Sequence, residues 1–231
     1  MRNKSKKQIS ESLTCGIVLA LSGGSMDAYS YIFRGEVFAN AQTGNMLLFG
    51  VFLAEGNMQE ALKYLWPVIA FTLGILLAAI MRKHDDEYGE IHWRQITVAI
   101  EAAFLISVAF IPQSLNPLAN GIISFVCGVQ VESFKKIHGS SIATTMCIGN
   151  LRSGTYSLTE YHHTKDKKYL RKGLLYYLII GTFVMGAVIE SRMIKIFGEK
   201  AILVSCILLM VALVLMFQAP AEEEEDFFVE G

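Results

Sequence analysis

The charges of this chain are bunched, and the stretches between the bunches are long enough to cross a lipid bilayer. Val68–Met81 and Ala201–Phe217 contain no Asp, Glu, Lys or Arg. Six segments reach spanning length once their flanks are included: Leu13–Phe33, Tyr64–Met81, Ile96–Ile111, Leu118–Val131, Leu174–Ile189 and Ala201–Phe217. A spanning helix needs about 20 mostly apolar residues, within a range of about 17–25. Six such segments in 231 residues leave too little polar chain to coat a water-soluble bundle. Composition agrees, since only 18% of the residues are charged, against about 25% in soluble domains. The fold class expected is all-α, a polytopic membrane helix bundle.

Arg2, Lys4, Lys6 and Lys7 precede the first apolar run. That run is too long for a cleaved leader, contains Asp27 and offers no small-residue cleavage site. It reads as a first spanning helix with a cytoplasmic N-terminus. The expected organisation is a cytoplasmic segment at 1–12, one membrane domain at 13–217, and an acidic, disordered tail at 218–231 that holds Glu222–Asp226. Cys15, Cys127, Cys147 and Cys206 all lie in apolar or membrane-depth segments without CxxC spacing, so they read as small buried hydrophobes.

The chain also resembles itself. One constant offset carries Gly23 onto Gly128, Asp27 onto Glu132, and Gly44–Asn45 onto Gly149–Asn150. The same offset carries Glu55 onto Glu160 and Lys63–Tyr64–Leu65 onto Lys168–Tyr169–Leu170. Chance similarity between greasy helices would match leucines rather than these polar and glycine positions. Two repeats are therefore expected, at 13–111 and 118–216. Each has a long helix ending near a carboxylate, a polar linker, a short segment opening with Gly-Asn, and two further long helices.

The short segments, Thr43–Ala54 and Ile148–Thr159, decide the topology. A dozen residues make a helix of roughly 18 Å, while the hydrocarbon core is about 30 Å thick. Arg152, Ser153, Thr155, Ser157 and Thr159 cannot all face lipid. If both segments dip in and return, there are six spans. Arg2, Lys4, Lys6, Lys7, Arg82, Lys83, Arg94 and the basic residues from Lys135 to Lys172 then lie inside. Only Arg34, Lys63, Arg192, Lys195 and Lys200 lie outside. An eight-span model divides the same residues evenly. The positive-inside rule selects six spanning helices plus two short half-membrane, re-entrant helices. Three spans per half make the two repeats inverted, a plan common among transporters and channels.

A few residues interrupt the apolar helices. Asp27 lies about two-thirds along the first helix, where a carboxylate is costly and normally faces protein or water. It reads either as a proton or cation site or as an acceptor for bent backbone. Gly23 and Gly24, with Gly128 in the second half, can bend a helix or admit another backbone. Gln42, Thr43, Gly44 and Asn45, together with Gly149 and Asn150, open the two short helices. A helix starting inside the membrane leaves N–H groups free to bind an anion or a substrate dipole. The asparagines read as caps or as ligand contacts. Glu132 is either a second pathway carboxylate or an interfacial residue beside Lys135–Lys136. Arg152 pairs with Asp27 or Glu132, attracts an anion, or reaches for the cytoplasmic surface.

No phosphate loop, nucleophile elbow, HExxH or dinucleotide fingerprint is present, so neither an enzyme nor an ATP-driven pump is expected. His84, His92, His138, His162 and His163 lie in loops without metal-ligand spacing, so no metal or cofactor is expected. No basic, aromatic-interleaved surface suggests nucleic acid.

Gly23–Gly24–Ser25–Met26–Asp27–Ala28–Tyr29–Ser30–Tyr31, followed by Phe38–Ala39–Asn40–Ala41–Gln42–Thr43–Gly44–Asn45, resembles the YoaK-type bacterial membrane proteins. Their GG-x-x-DA-x-x-Y element precedes a QTGN element, and Gly149–Asn150–Leu151 matches a second, TGN-like element with Ile148 in place of threonine. The resemblance implies a multi-pass protein of the bacterial cytoplasmic membrane, from a family of unknown function. It supplies no substrate, cofactor or catalytic residue.

The expected function is a small secondary transporter or channel for a small anion or polar metabolite. Its site would lie between the two Gly-Asn half-helices, with Asp27 as the coupling carboxylate. The alternative is a non-transporting membrane scaffold or sensor. The partners expected are the lipid bilayer and an unidentified small molecule or ion, with a homo-oligomer left open.

Overall fold

The computed structural model describes residues 12–84, 92–137 and 140–217. The expected N-terminal segment, except Ser12, and the acidic tail lie outside the described residues, as does His138.

Eight α-helices carry the chain: α1 (Leu13–Phe33), α2 (Gln42–Ala54), α3 (Met58–Lys83), α4 (Trp93–Val108), α5 (Asn116–Ser133), α6 (Cys147–Thr164), α7 (Lys167–Phe197) and α8 (Leu203–Phe217). The only strand pairing among the described residues is a two-rung antiparallel ladder, Lys136 with Ser141 and Ile137 with Ser140. Local chemistry sets several ends. Ser12 caps α1 by accepting from Cys15 N–H, Asn57 caps α3 through Glu60 N–H, and Asp166 caps α7 through Lys168 N–H. His92 and Gln95 close a reciprocal capping box at the start of α4. Gly198, at φ 55°, ends α7 before a short 3₁₀ turn leads into α8.

The expected all-helical class holds. Three stretches are long and apolar enough to cross a membrane by length and composition: Met58–Lys83, Gln113–Ser133 and Lys167–Phe217, the last uniting α7, the 3₁₀ turn and α8. The other two expected spans, α1 and α4, are not among them. In α1 the second half carries Ser22, Ser25, Asp27 and Ser30, and α4 has only 16 residues.

The polar and apolar residues are distributed as lipid requires. Ile69, Leu73, Leu76 and Ile80 on α3 and Val184, Met185 and Val188 on α7 face outward. Ser22, Ser25, Glu101, Ser124, Glu190 and Ser205 are buried. In water this arrangement would expose large contiguous apolar faces. In hydrocarbon it keeps polar groups away from the solvent they cannot use.

The packing scheme repeats itself when the halves are exchanged. α1 packs on α7 as α5 packs on α3, α2 on α3 as α6 on α7, and α1 on α8 as α5 on α4, while α4 packs on α8. Glycines make the long contacts close. A Cβ at Gly24 would fall on the Phe183 carbonyl and one at Gly186 on that of Leu21; likewise Gly128 abuts the Phe71 carbonyl and Gly74 that of Phe125. With no side chain between them, the paired backbones approach within reach of dispersion contact.

These contacts correct the sequence register. They match Gly24, not Gly23, with Gly128, and Phe71 with Phe183. The third helices therefore align about two turns further than the constant offset implies. Most of this shift comes from α6, which has 18 residues where α2 has 13. The Lys-Tyr-Leu triplets and the Glu55–Glu160 match do not occupy equivalent places, and the second short helix is longer than Ile148–Thr159.

Candidate site at the junction of the short-helix loops

Each short helix is entered through a loop that an asparagine clamps. Asn45 donates from Nδ2 to the Phe38 carbonyl (2.7 Å) and accepts at Oδ1 from Phe38 N–H (3.1 Å). Asn150 donates to the Ala143 carbonyl (2.6 Å) and accepts from Ala143 N–H (3.2 Å). Both asparagines are buried. An amide is the side chain for this task because it offers one donor and one acceptor side by side, as a neighbouring β-strand does. Neither asparagine caps its helix, since the residues before α2 and α6 are Ala41 and Met146, without side-chain caps. Gln42 completes the first clamp, accepting from Asn45 Nδ2 (2.9 Å) and donating to the Ala39 carbonyl (2.7 Å).

Asp27 meets the first of these loops. Its Oδ1 accepts from Asn40 N–H at 2.7 Å, and the N–H groups of Ala39 and Ala41 also act on the carboxyl group. The positive end of α2 therefore already faces a carboxylate of the protein itself. That arrangement weakens the expectation of an anion there. Asp27 remains half-buried rather than sealed.

Asn40 and Thr145 occupy equivalent places, each five residues before the clamping asparagine, and both meet α1 at Gly23. Asn40 Nδ2 donates to the Gly23 carbonyl (3.0 Å). The Thr145 methyl lies 2.7 Å from where a Gly23 Cβ would stand. Gly23 is thus the point on α1 where the two loops converge, one turn before Asp27. Asn40 and Thr145 are 6% and 4% exposed, and neither Asn40 Oδ1 nor Thr145 Oγ1 has a hydrogen-bond partner.

The other expected site residues lie elsewhere or differ between the halves. Gly44 packs under the Phe38 ring, whose nearest atoms would be 2.9 Å from a Cβ, while a Cβ on Gly149 would meet nothing within 4 Å. Thr43 is exposed. Glu132 pairs with Arg82 (3.2 Å) and Lys135 (2.5 Å) where α3 and α5 end. Arg152 is exposed on α6. The structure brings together Gly23, Asp27 and the α2 entrance, but not Glu132 or Arg152.

Three further ionisable groups are buried. Arg34, expected outside, is fully buried. Its guanidinium donates to Tyr29 Oη (2.8 and 3.1 Å), to the Val108 carbonyl ending α4 (3.1 Å) and to Asn116 Oδ1 (3.3 Å). Glu190 is 0% exposed, as is Glu101, and neither carboxyl has a hydrogen-bond partner among the described residues. Its position inside the Ile96–Ile111 apolar run marks Glu101 in the sequence as a carboxylate without an obvious partner. Nothing local distinguishes Arg34 from a loop arginine.

Apolar helices turned outward, buried polar groups and backbone loops held inside the helix layer define a multi-pass helical membrane protein. The chain belongs to the family described as protein of unknown function (DUF1275), whose model matches residues 15–215. It is 25% identical over 185 residues to the UPF0700 transmembrane protein YoaK of Bacillus subtilis (strain 168), an alignment covering 75% of this chain and 80% of that protein. The YoaK-type resemblance is thereby established. No solved structure matches the chain.

Proposed function

We propose that this protein is a small secondary transporter or channel of the bacterial cytoplasmic membrane, with its N-terminus in the cytoplasm. In this reading α1, α3, α4, α5, α7 and α8 cross the bilayer, and α2 and α6 enter it partway as parts of two inverted repeats. The observation that carries the proposal is the convergence of both short-helix loops on Gly23, beside the half-buried Asp27. Backbone irregularity at membrane depth is tolerated where protein or a cavity satisfies it, and transporters place their sites at such points. Movement of one half against the other would open and close the junction. The reading assigns no catalysis and no cofactor.

One observation favours the alternative scaffold or sensor: both clamping amides are engaged with backbone, so they hold loops rather than ligand. Reconstitution separates the two readings. Proteoliposomes would be challenged with gradients of sodium, potassium, ammonium and small carboxylates while current and internal pH are recorded. Flux that is lost in a folded Asp27→Asn variant is expected. If the wild-type protein gives no flux above empty liposomes under any gradient, the transport reading is wrong.

A further inference from the structure

The polar groups at the loop junction are unequal in kind. Its donors are engaged: Asn40 N–H with Asp27 and Asn40 Nδ2 with the Gly23 carbonyl. The Gly23 contact also fixes the orientation of the amide, because only the nitrogen can donate to a carbonyl. Oδ1 is thereby left facing away from that contact. The groups without partners are acceptors, Asn40 Oδ1 and Thr145 Oγ1, the hydroxyl being able to donate as well. Asp27 joins them through its Oδ1, which accepts from the backbone N–H of the same Asn40. Buried acceptors without donors are costly, and the missing complement is positive charge or a hydrogen-bond donor.

Resting on the transporter reading of this same site, we propose that the junction binds a monovalent cation, either an alkali ion or the ammonium head of an amine. Asp27, Asn40 Oδ1 and Thr145 Oγ1 supply its oxygens. One carboxylate balances one charge. Oxygen donors alone suit a hard ion or an ammonium group, and no cluster of three His, Cys, Asp or Glu side chains occurs among the described residues to hold a transition metal. The ligating residues come from α1 and from both short-helix loops, so a bound cation would tie the two halves together. This replaces the small anion expected from helix dipoles alone: at α2 the protein's own carboxylate takes that place.

The test is thermal unfolding of the full chain in detergent. Sodium, potassium and methylammonium chlorides would be titrated against N-methyl-D-glucamine chloride, with acetate replacing chloride in a parallel series. One of the three cations should raise the melting temperature regardless of the anion, which also decides between alkali ion and ammonium. Thr145→Val keeps the shape and removes the hydroxyl, and should weaken that cation's apparent affinity about tenfold. Asp27→Asn should abolish the shift, and if that variant does not fold, Thr145→Val still decides. No cation-dependent shift in the wild type, an unchanged affinity in Thr145→Val, or a shift that follows the anion would each overturn the proposal. Cation binding without flux leaves this site standing and removes the transporter. Flux of an anion without cation binding does the reverse.

Discussion

The side chain of Asn150 grips the backbone of Ala143 at two points, donating to its carbonyl at 2.6 Å and accepting from its N–H at 3.2 Å. Asn45 does the same to Phe38. The two clamps are the best-preserved correspondence between the halves. Their strength comes from the burial of both asparagines, each of which serves two backbone groups at once.

Loss of either clamp should therefore destabilise the protein. Asn45→Ala and Asn150→Ala each remove two hydrogen bonds to part-buried backbone, at roughly 0.5–1.5 kcal/mol per bond. Aspartate should not rescue, since a carboxylate cannot donate to the carbonyl. Thermal unfolding in detergent measures the loss. Alanine variants as stable as the wild type would show that the clamps contribute nothing.

The two short-helix glycines should respond oppositely to alanine. At Gly149 the added methyl meets nothing within 4 Å, so the better helix propensity of alanine should stabilise by up to about 1 kcal/mol. At Gly44 the methyl meets the Phe38 ring at 2.9 Å, and the ring must shift, with overpacking costing about 1–3 kcal/mol. Melting temperatures of the two variants, compared side by side, check the sign of each.

Gly24→Ala and Gly128→Ala, like changes at Gly74 and Gly186, should be among the most damaging glycine substitutions in the long helices. In each, the new carbon falls on a backbone carbonyl of the facing helix, which cannot rotate away. The α1–α7 and α5–α3 pairs must then separate along their length, losing close packing that in a membrane is a main source of helix association. Size-exclusion profiles after mild detergent extraction should show loss of the monodisperse species. Gly23→Ala should be milder, because it meets a threonine methyl rather than backbone.

Arg34→Met should cost about 2–4 kcal/mol, since the Val108 carbonyl, Asn116 Oδ1 and Tyr29 hydroxyl lose a shared donor in a buried place. Arg34→Lys should recover only part, because an ammonium lacks the planar fork that reaches three acceptors at once. Chemical or thermal unfolding of the two variants ranks them.

Membrane sidedness is open to direct test. Gln59 is exposed near the start of α3, and Lys83 ends the same helix. With Cys147 replaced by serine, a cysteine at position 59 should react with a membrane-impermeant maleimide from outside intact cells, and one at position 83 should not. The reverse pattern would favour eight spans.

The sequence by itself determined the membrane class, the positions of the long helices and the pairing of the two Gly-Asn elements. These follow from runs of composition and from short motifs, and α1 begins and ends at Leu13 and Phe33 as its apolar run indicates. The register of the third helices was not legible, because the extra turns of α6 disrupt an ungapped alignment and only the glycine contacts reveal the true partners. Nor were the roles of Asn45 and Arg34, which depend on which backbone groups lie opposite each side chain. The tertiary structure alone decided that Asp27 faces the entrance of α2, and that Asn40 and Thr145 meet on Gly23. Such contacts join residues far apart in the chain, and local sequence carries no record of what will be packed against it.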